Sequence, residues 1–255
     1  MEAMEHIGQQ RKQVMERLKK IRSKIAVIAG KGGVGKTTVA VNIACLLAET
    51  NKVGLLDADI DCPNVNRFLG IEEKFKIFSG RIEPIEKYGM KIASMASLQE
   101  AEDQAIIWRG PMISHAILQF LESVEWGNLD YLIIDTPPGT SDACLTLMQL
   151  VNLDGVIVVS TPHSASIVDA KKSINMAKQM NVPILGIVEN MSGDIFGSGV
   201  EILAQQAEIP FLGSLKLSRE LSELTNKGVV PVRENSQIRN AFERIAAGME
   251  HQKLN

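Results

Sequence analysis

The chain has 255 residues, of which 45% are hydrophobic and 22% charged, enough apolar material for one sizeable α/β core. A formal net charge of −3 argues against a dedicated nucleic-acid binder, and three scattered cysteines with no CxxC pair argue against a disulfide framework. The first 24 residues lack the apolar run of a signal peptide, and no stretch approaches the roughly 18 apolar residues of a membrane helix, so a cytoplasmic protein is expected.

In chain order, residues 4–24 have the spacing of an amphipathic helix, with Met4, Ile7, Val14, Leu18 and Ile21 on one face and a basic opposite side. It is expected to pack as an appended helix, which divides the chain into an N-terminal helix at 1–24 and one domain at 25–255. Residues 24–29 form a short apolar run, a buried strand, followed by a glycine-rich loop and then helical periodicity over 36–49. Further strands are predicted at 53–56, 92–95, 131–134, 156–160 and 184–188. Helices are predicted at 112–123, 142–150, 166–180, 199–207 and 236–249. Residues 71–90 are the least regular. Apolar strands alternating with helices predict an α/β fold, a mostly parallel sheet with helices on both faces. The last helix places Ile238, Phe242, Ile245 and Met249 on one face; its polar side mixes Arg239 and Arg244 with Glu243 and Glu250, which favours core packing over a membrane anchor.

The chemistry concentrates in Gly30-Lys31-Gly32-Gly33-Val34-Gly35-Lys36-Thr37, which fits G-x-x-x-x-G-K-[ST]. Glycines let the backbone turn its N–H groups inward around phosphate oxygens, and the helix that follows adds the positive end of its dipole. Lys36 is expected on the β- and γ-phosphates of ATP, the Thr37 hydroxyl on Mg²⁺, and Thr38 near the α-phosphate. Two acidic strand ends complete the metal site: Leu56-Asp57-Ala58-Asp59-Ile60-Asp61, and Asp135 at the end of Tyr131-Leu132-Ile133-Ile134, the Walker B arrangement. In a parallel sheet both would lie beside the glycine loop, at the carboxyl ends of the strands.

The extra Lys31 directly after the first glycine makes the loop resemble that of the MinD/ParA-type ATPases, the deviant form of the Walker A motif. Together with Leu56-Asp57-Ala58-Asp59-Ile60, Trp108-Arg109-Gly110-Pro111, Ile134-Asp135-Thr136-Pro137-Pro138-Gly139-Thr140 and Val188-Glu189-Asn190-Met191-Ser192, the chain resembles the Mrp/ApbC branch of iron–sulfur cluster carrier ATPases over roughly residues 20–245. The resemblance implies a homodimer enclosing two nucleotides. It implies that Lys31 reaches the partner's nucleotide, that Asp59 orients the attacking water and that Asp57 and Asp135 support the Mg²⁺ shell. It also implies that Gly139 offers its N–H to the γ-phosphate and that Asn190 hydrogen-bonds adenine. Catalysis would then rest on Lys31, Lys36 and Asp59. Trp108 and Arg109 read as structural residues.

One departure stands out. The family's C-P-x-C pair, expected shortly after Val188-Glu189-Asn190-Met191-Ser192, is replaced here by Gly193-Asp194-Ile195-Phe196-Gly197. No resident iron–sulfur cluster is therefore expected, and a partner in cluster or metal-centre assembly, a cysteine-bearing relative included, would have to supply the thiolates. Cys62 and Cys144, beside the acidic strand ends, would be the replacement ligands if any existed, but they lack metal-ligand spacing; His163 reads as a loop residue. Two alternatives stand beside the ATPase switch: a MinD/ParA-like positioning ATPase, for which neither a membrane anchor nor a DNA-facing patch is clear, and a nucleotide-binding scaffold without cargo. Intact Lys31 and Asp59 speak against lost hydrolysis.

Overall fold

The computed structural model describes residues 12–95, 110–193 and 199–254. The N-terminal helix is described over residues 12–18 (α1). After a turn, the chain enters β1 (Ile21–Ala29). The expected helix to residue 24 is thus too long. Ile21 satisfies both the helical stripe and the strand, and its pairing opposite Leu129 draws it into the sheet. Val14 and Leu18 remain on a buried helical face.

The strands continue with β2 (Val53–Asp57), β3 (Lys76–Phe78), β4 (Arg81–Glu83), β5 (Ile85–Lys87), β6 (Met90–Ser94), β7 (Leu129–Asp135), β8 (Gly155–Ser160), β9 (Ile184–Ser192) and β10 (Phe211–Lys216). The helices are α2 (Lys36–Leu47), α3 (Val65–Phe68), α4 (Gly110–Ser123), α5 (Asp142–Leu150), α6 (Ser164–Gln179), α7 (Gly199–Ala207), α8 (Arg219–Asn226), α9 (Pro231–Glu234) and α10 (Ser236–Leu254). Among the described residues, eight strands form one sheet in the order β10-β9-β8-β1-β7-β2-β6-β5, parallel except for the edge strand β5. β3 and β4 form a separate antiparallel hairpin.

Alternate residues of β1 divide between two cores, which is the pleat of a strand covered on both faces. Ala26 and Ile28 pack with α1, α4, α5, α6 and α7; Ile25, Val27 and Ala29 pack with α2, α9 and α10. Phe242, Ile245 and Met249 of α10 are buried in the second core, so the apolar face of this helix is spent on packing. The irregular stretch 71–90 contains three short strands that no periodicity announced, because runs of three residues are too short to show one. β10, α8 and α9 were likewise not anticipated.

Parallel pairing aligns the strand ends. β2 and β7 are in register with Asp57 opposite Asp135, and β1 pairs β7 through Val27 and Asp135. The loop after β1 therefore faces two carboxylates.

Candidate nucleotide site at the carboxyl ends of the strands

Residues 30–35 connect β1 to α2. The turn is built by Gly33 and Gly35, both at positive φ, and Gly35 is the N-cap of α2 with no side-chain cap. The first backbone N–H groups of α2 are consequently left for an external acceptor, and the dipole favours an anion there. Two glycines are required by space. A Cβ on Gly30 would fall 2.1 Å from the backbone of Asp169 in α6, and one on Gly35 would fall 1.9 Å from Nδ2 of Asn190. Gly32, Gly33 and Lys31 lie on the open side of the loop, while Val34, Lys36 and Thr38 are buried. Lys31 is half-buried and makes no ion pair with a described residue.

Lys36 and Thr37 converge on Asp135. The Lys36 ammonium lies 2.6 Å from Oδ1 and the Thr37 hydroxyl donates to Oδ2 at 2.6 Å. Asp135 is 1% exposed and Lys36 8%, so the pair is held out of water, where such a bond is strong and a lone charge costly.

Asp57 is fully buried. It accepts from the N–H of Val65 at 3.0 Å, the N–H of Asp59 at 3.2 Å and the Ser94 hydroxyl at 3.0 Å. Burial, reinforced by the negative Asp135 beside it, pushes its pKa up to about 7. Burial also raises Asp59, against the pull of Lys36; its carboxylate accepts from the N–H of Cys62 at 3.1 Å. Three acids thus share one enclosed space with one lysine. Ser94 ends β6 after Met90-Lys91-Ile92-Ala93, a run with no distinctive signal for this role.

The geometry adds detail to two expectations. Asn190 lies inside β9 rather than after it, because the strand runs on to Ser192 beside β10. Its amide donates to the carbonyl of Val34 at 2.8 Å, which braces the glycine loop. Gly139, at φ +75, donates its N–H to Ala29 O at 2.8 Å, so in this conformation the group is held by β1 and is not presented to a phosphate. Cys144 is fully buried on α5, and burial raises its thiol to about 11, which removes it as a ligand facing a partner; Cys62 is exposed. His163 N-caps α6, its Nδ1 accepting from Ala165 N–H at 3.2 Å. Among the described residues no cluster of His, Cys, Asp and Glu is arranged to hold a metal ion by itself. Trp108, Arg109 and residues 194–198 lie outside the described residues.

A glycine nest at a helix N-terminus, a lysine and threonine on a strand-end aspartate, and a parallel sheet behind them define a nucleotide-binding P-loop protein. The ParA family model, described as NUBPL iron-transfer P-loop NTPase, matches residues 20–250. The iron–sulfur cluster carrier protein of Methanocaldococcus jannaschii is 44% identical over 94% of this chain and 88% of its own length. That of Pyrococcus horikoshii is 41% identical over 91% and 87%. Among solved structures, a nucleotide-binding protein from Archaeoglobus fulgidus in complex with ADP superposes with a TM-score of 0.76 at 35% identity, covering 88% of this chain and 94% of that one. The cell-division ATPase MinD of Pyrococcus furiosus has a TM-score of 0.69 at 20% identity over 90% and 99%, a likeness of fold. The chain belongs to the ParA/NUBPL iron-transfer family of P-loop NTPases.

Proposed function

We propose that this chain is an ATP-hydrolysing dimeric switch of the Mrp/ApbC type that serves iron–sulfur cluster or metal-centre assembly. The observation that carries the ATP reading is the convergence of Lys36 and Thr37 on buried Asp135 at the mouth of an uncapped, glycine-built helix start. Lys36 would turn from Asp135 to the β- and γ-phosphates, and the Gly30–Thr38 backbone would hold the phosphate oxygens. Thr37, Asp57 and Asp135 offer only oxygen donors, which suits hard Mg²⁺, and the crowding of Asp57 against Asp135 is what a divalent cation would relieve. Bound Mg²⁺ would neutralise phosphate charge.

Hydrolysis adds water to the γ-phosphorus and releases ADP and phosphate. Asp59 would orient that water and Lys31 of the partner subunit would meet the charge moving onto the leaving oxygen. Gly139 would reach the γ-phosphate once its bond to Ala29 opens, which makes the segment after β7 a switch. Asn190, beside the loop, would bind adenine through its free carbonyl oxygen.

The names of the relatives support a cluster-assembly client, and the absence of the CxxC pair supports action through a cysteine-bearing relative in a mixed dimer. The test is mixed-dimer hydrolysis. Combining Lys31→Ala with Asp59→Asn subunits should restore activity at the one site that joins an intact Asp59 to an intact Lys31 from its partner. Rates no higher than those of the two parents at every ratio would refute the trans assignment. Anaerobic reconstitution with iron and sulfide should leave the homodimer without a stable cluster, and a stoichiometric cluster lost on Cys62→Ser would overturn that part.

A further inference from the structure

Ser94 closes β6, and its side chain is wholly buried at the carboxyl ends of the strands. Parallel pairing lays four strand ends in one row: Ser94 stands opposite Asp57, Asp57 opposite Asp135, and Asp135 opposite Val27. β2 lies between β6 and β7, so Ser94 and Asp135 flank Asp57 from opposite sides. The two flanks act on it differently. Asp135 presses on Asp57 with like charge, whereas the Ser94 hydroxyl donates to its Oδ2 at 3.0 Å. Lys36 and Thr37 donate to Asp135, while the described donors to Asp57 are neutral: two backbone N–H groups and this hydroxyl.

An ionised carboxylate offers about four lone-pair positions, two on each oxygen. The Val65 N–H and the Ser94 hydroxyl fill those of Oδ2, and the Asp59 N–H takes one on Oδ1. The described donors leave one position on Oδ1 open. We infer that Ser94 is a positioning residue of the magnesium site, a role that rests on the Mg·ATP reading above: its hydroxyl holds Oδ2 toward β6, away from Asp135, and keeps Oδ1 for a water of the metal's shell. The other two donors belong to the segment that follows Asp57 and shift with it. Ser94 belongs to the neighbouring strand, so it fixes the carboxylate relative to the sheet and to Asp135. A hydroxyl suits this duty because it adds no charge and does not compete with a cation for the carboxylate. Alanine at this position would leave Oδ2 with a single described donor in a place closed to water, where a lost hydrogen bond is not replaced.

The experiment measures Mn²⁺ binding to the full chain with ADP present, from the electron paramagnetic resonance signal of the free ion, and its displacement by Mg²⁺. Calorimetry of ADP binding in EDTA runs beside it. Loss of a group that orients a metal ligand typically costs about 10–100-fold in metal affinity. Ser94→Ala should therefore weaken binding of both ions by about tenfold or more. Its metal-free ADP affinity should stay within about twofold of wild type, because the glycine loop and Lys36 hold the phosphates. Ser94→Thr keeps the hydroxyl and should restore most of the metal affinity. A Ser94→Ala protein that binds ADP and Mn²⁺ as wild type does would overturn the role of Ser94 and leave the magnesium reading standing. An equal loss of metal affinity and metal-free ADP affinity would also overturn it, by marking the hydroxyl as structural. So would a Ser94→Thr protein with intact metal-free ADP binding that holds the metal no better than Ser94→Ala. A wild-type chain that takes up no metal with ADP would remove the magnesium reading itself, and this role with it.

Discussion

The two ends of the central sheet handle charge in opposite ways. At the amino ends of the strands, charged side chains have partners of their own: Lys24 lies 3.1 Å from Asp154, the N–H of Lys52 donates to Asp130 at 2.9 Å, and the Tyr131 hydroxyl donates to Glu250 at 2.9 Å with Lys253 over its ring. At the carboxyl ends, Asp57, Asp59 and Asp135 crowd around a single buried lysine, and Asp57 is driven up to about 7. One end has settled its electrostatics internally. The other holds buried carboxylates whose crowding a bound cation would relieve, which is the pattern of a site kept for a ligand. The same sheet thus joins a stability end and a chemical end, and substitutions should sort accordingly.

The largest effect is expected at the chemical end. Asp59→Asn should lower kcat by roughly 10²–10⁴-fold while Mg·ATP still binds, because the loss falls on water orientation. Phosphate-release kinetics beside calorimetry check this, and an unchanged kcat would remove Asp59 from the chemistry. Next comes Lys36→Ala, which removes the cation facing the phosphates and leaves Asp135 unpaired. Losing one partner of a buried charged pair costs roughly 2–5 kcal/mol, so ATP affinity should fall at least about thirtyfold by calorimetry.

Acidity sharpens the contrast further. Asp57 rises from its ordinary 3.8 to about 7 in the folded chain, so the folded state holds a proton that the unfolded state has lost. Its contribution is complete below about pH 4 and is lost as pH rises through about 7, a change on the order of a few kcal/mol. Melting of the nucleotide-free protein should therefore drop between pH 5.5 and 8 by ~10 °C at most on the scale of such a change. Magnesium nucleotide should reverse most of the drop. A carbon-13 titration of the Asp57 carboxyl near the ordinary carboxylate range would break this reading. The smallest effect belongs to the paired end. Lys24→Met removes one half-screened ion pair and should cost about 1 kcal/mol or less, a few degrees in melting temperature, with ATP affinity and kcat unchanged.

The phosphate loop is legible in the sequence because its chemistry is local. Gly30, Gly33, Gly35, Lys36 and Thr37 lie within one turn, and the residue types state what the backbone must do there. Asp135 was legible for a similar reason, as an acid closing four apolar residues. Asn190 was legible as a residue but not as a geometry: its bond to Val34 spans the chain, and its place inside β9 depends on pairing with β10, a strand of weak pattern. Ser94 is another such case, meeting Asp57 only because β6 lies beside β2.

The amino-acid sequence by itself determined the alternation of apolar strands and striped helices, hence a two-sided parallel sheet, and the phosphate-cradling loop at the end of its first strand. Those features follow from periodicity and from backbone freedoms that neighbouring residues specify. Tertiary structure alone decided that Ile21 belongs to a strand rather than a helix, and that Gly30 and Gly35 must lack side chains to admit α6 and Asn190. It also decided that Asp57 faces Asp135 closely enough to shift its acidity. Each of these depends on strand order and register, which bring together residues far apart in the chain, and on the water that packing excludes from between them.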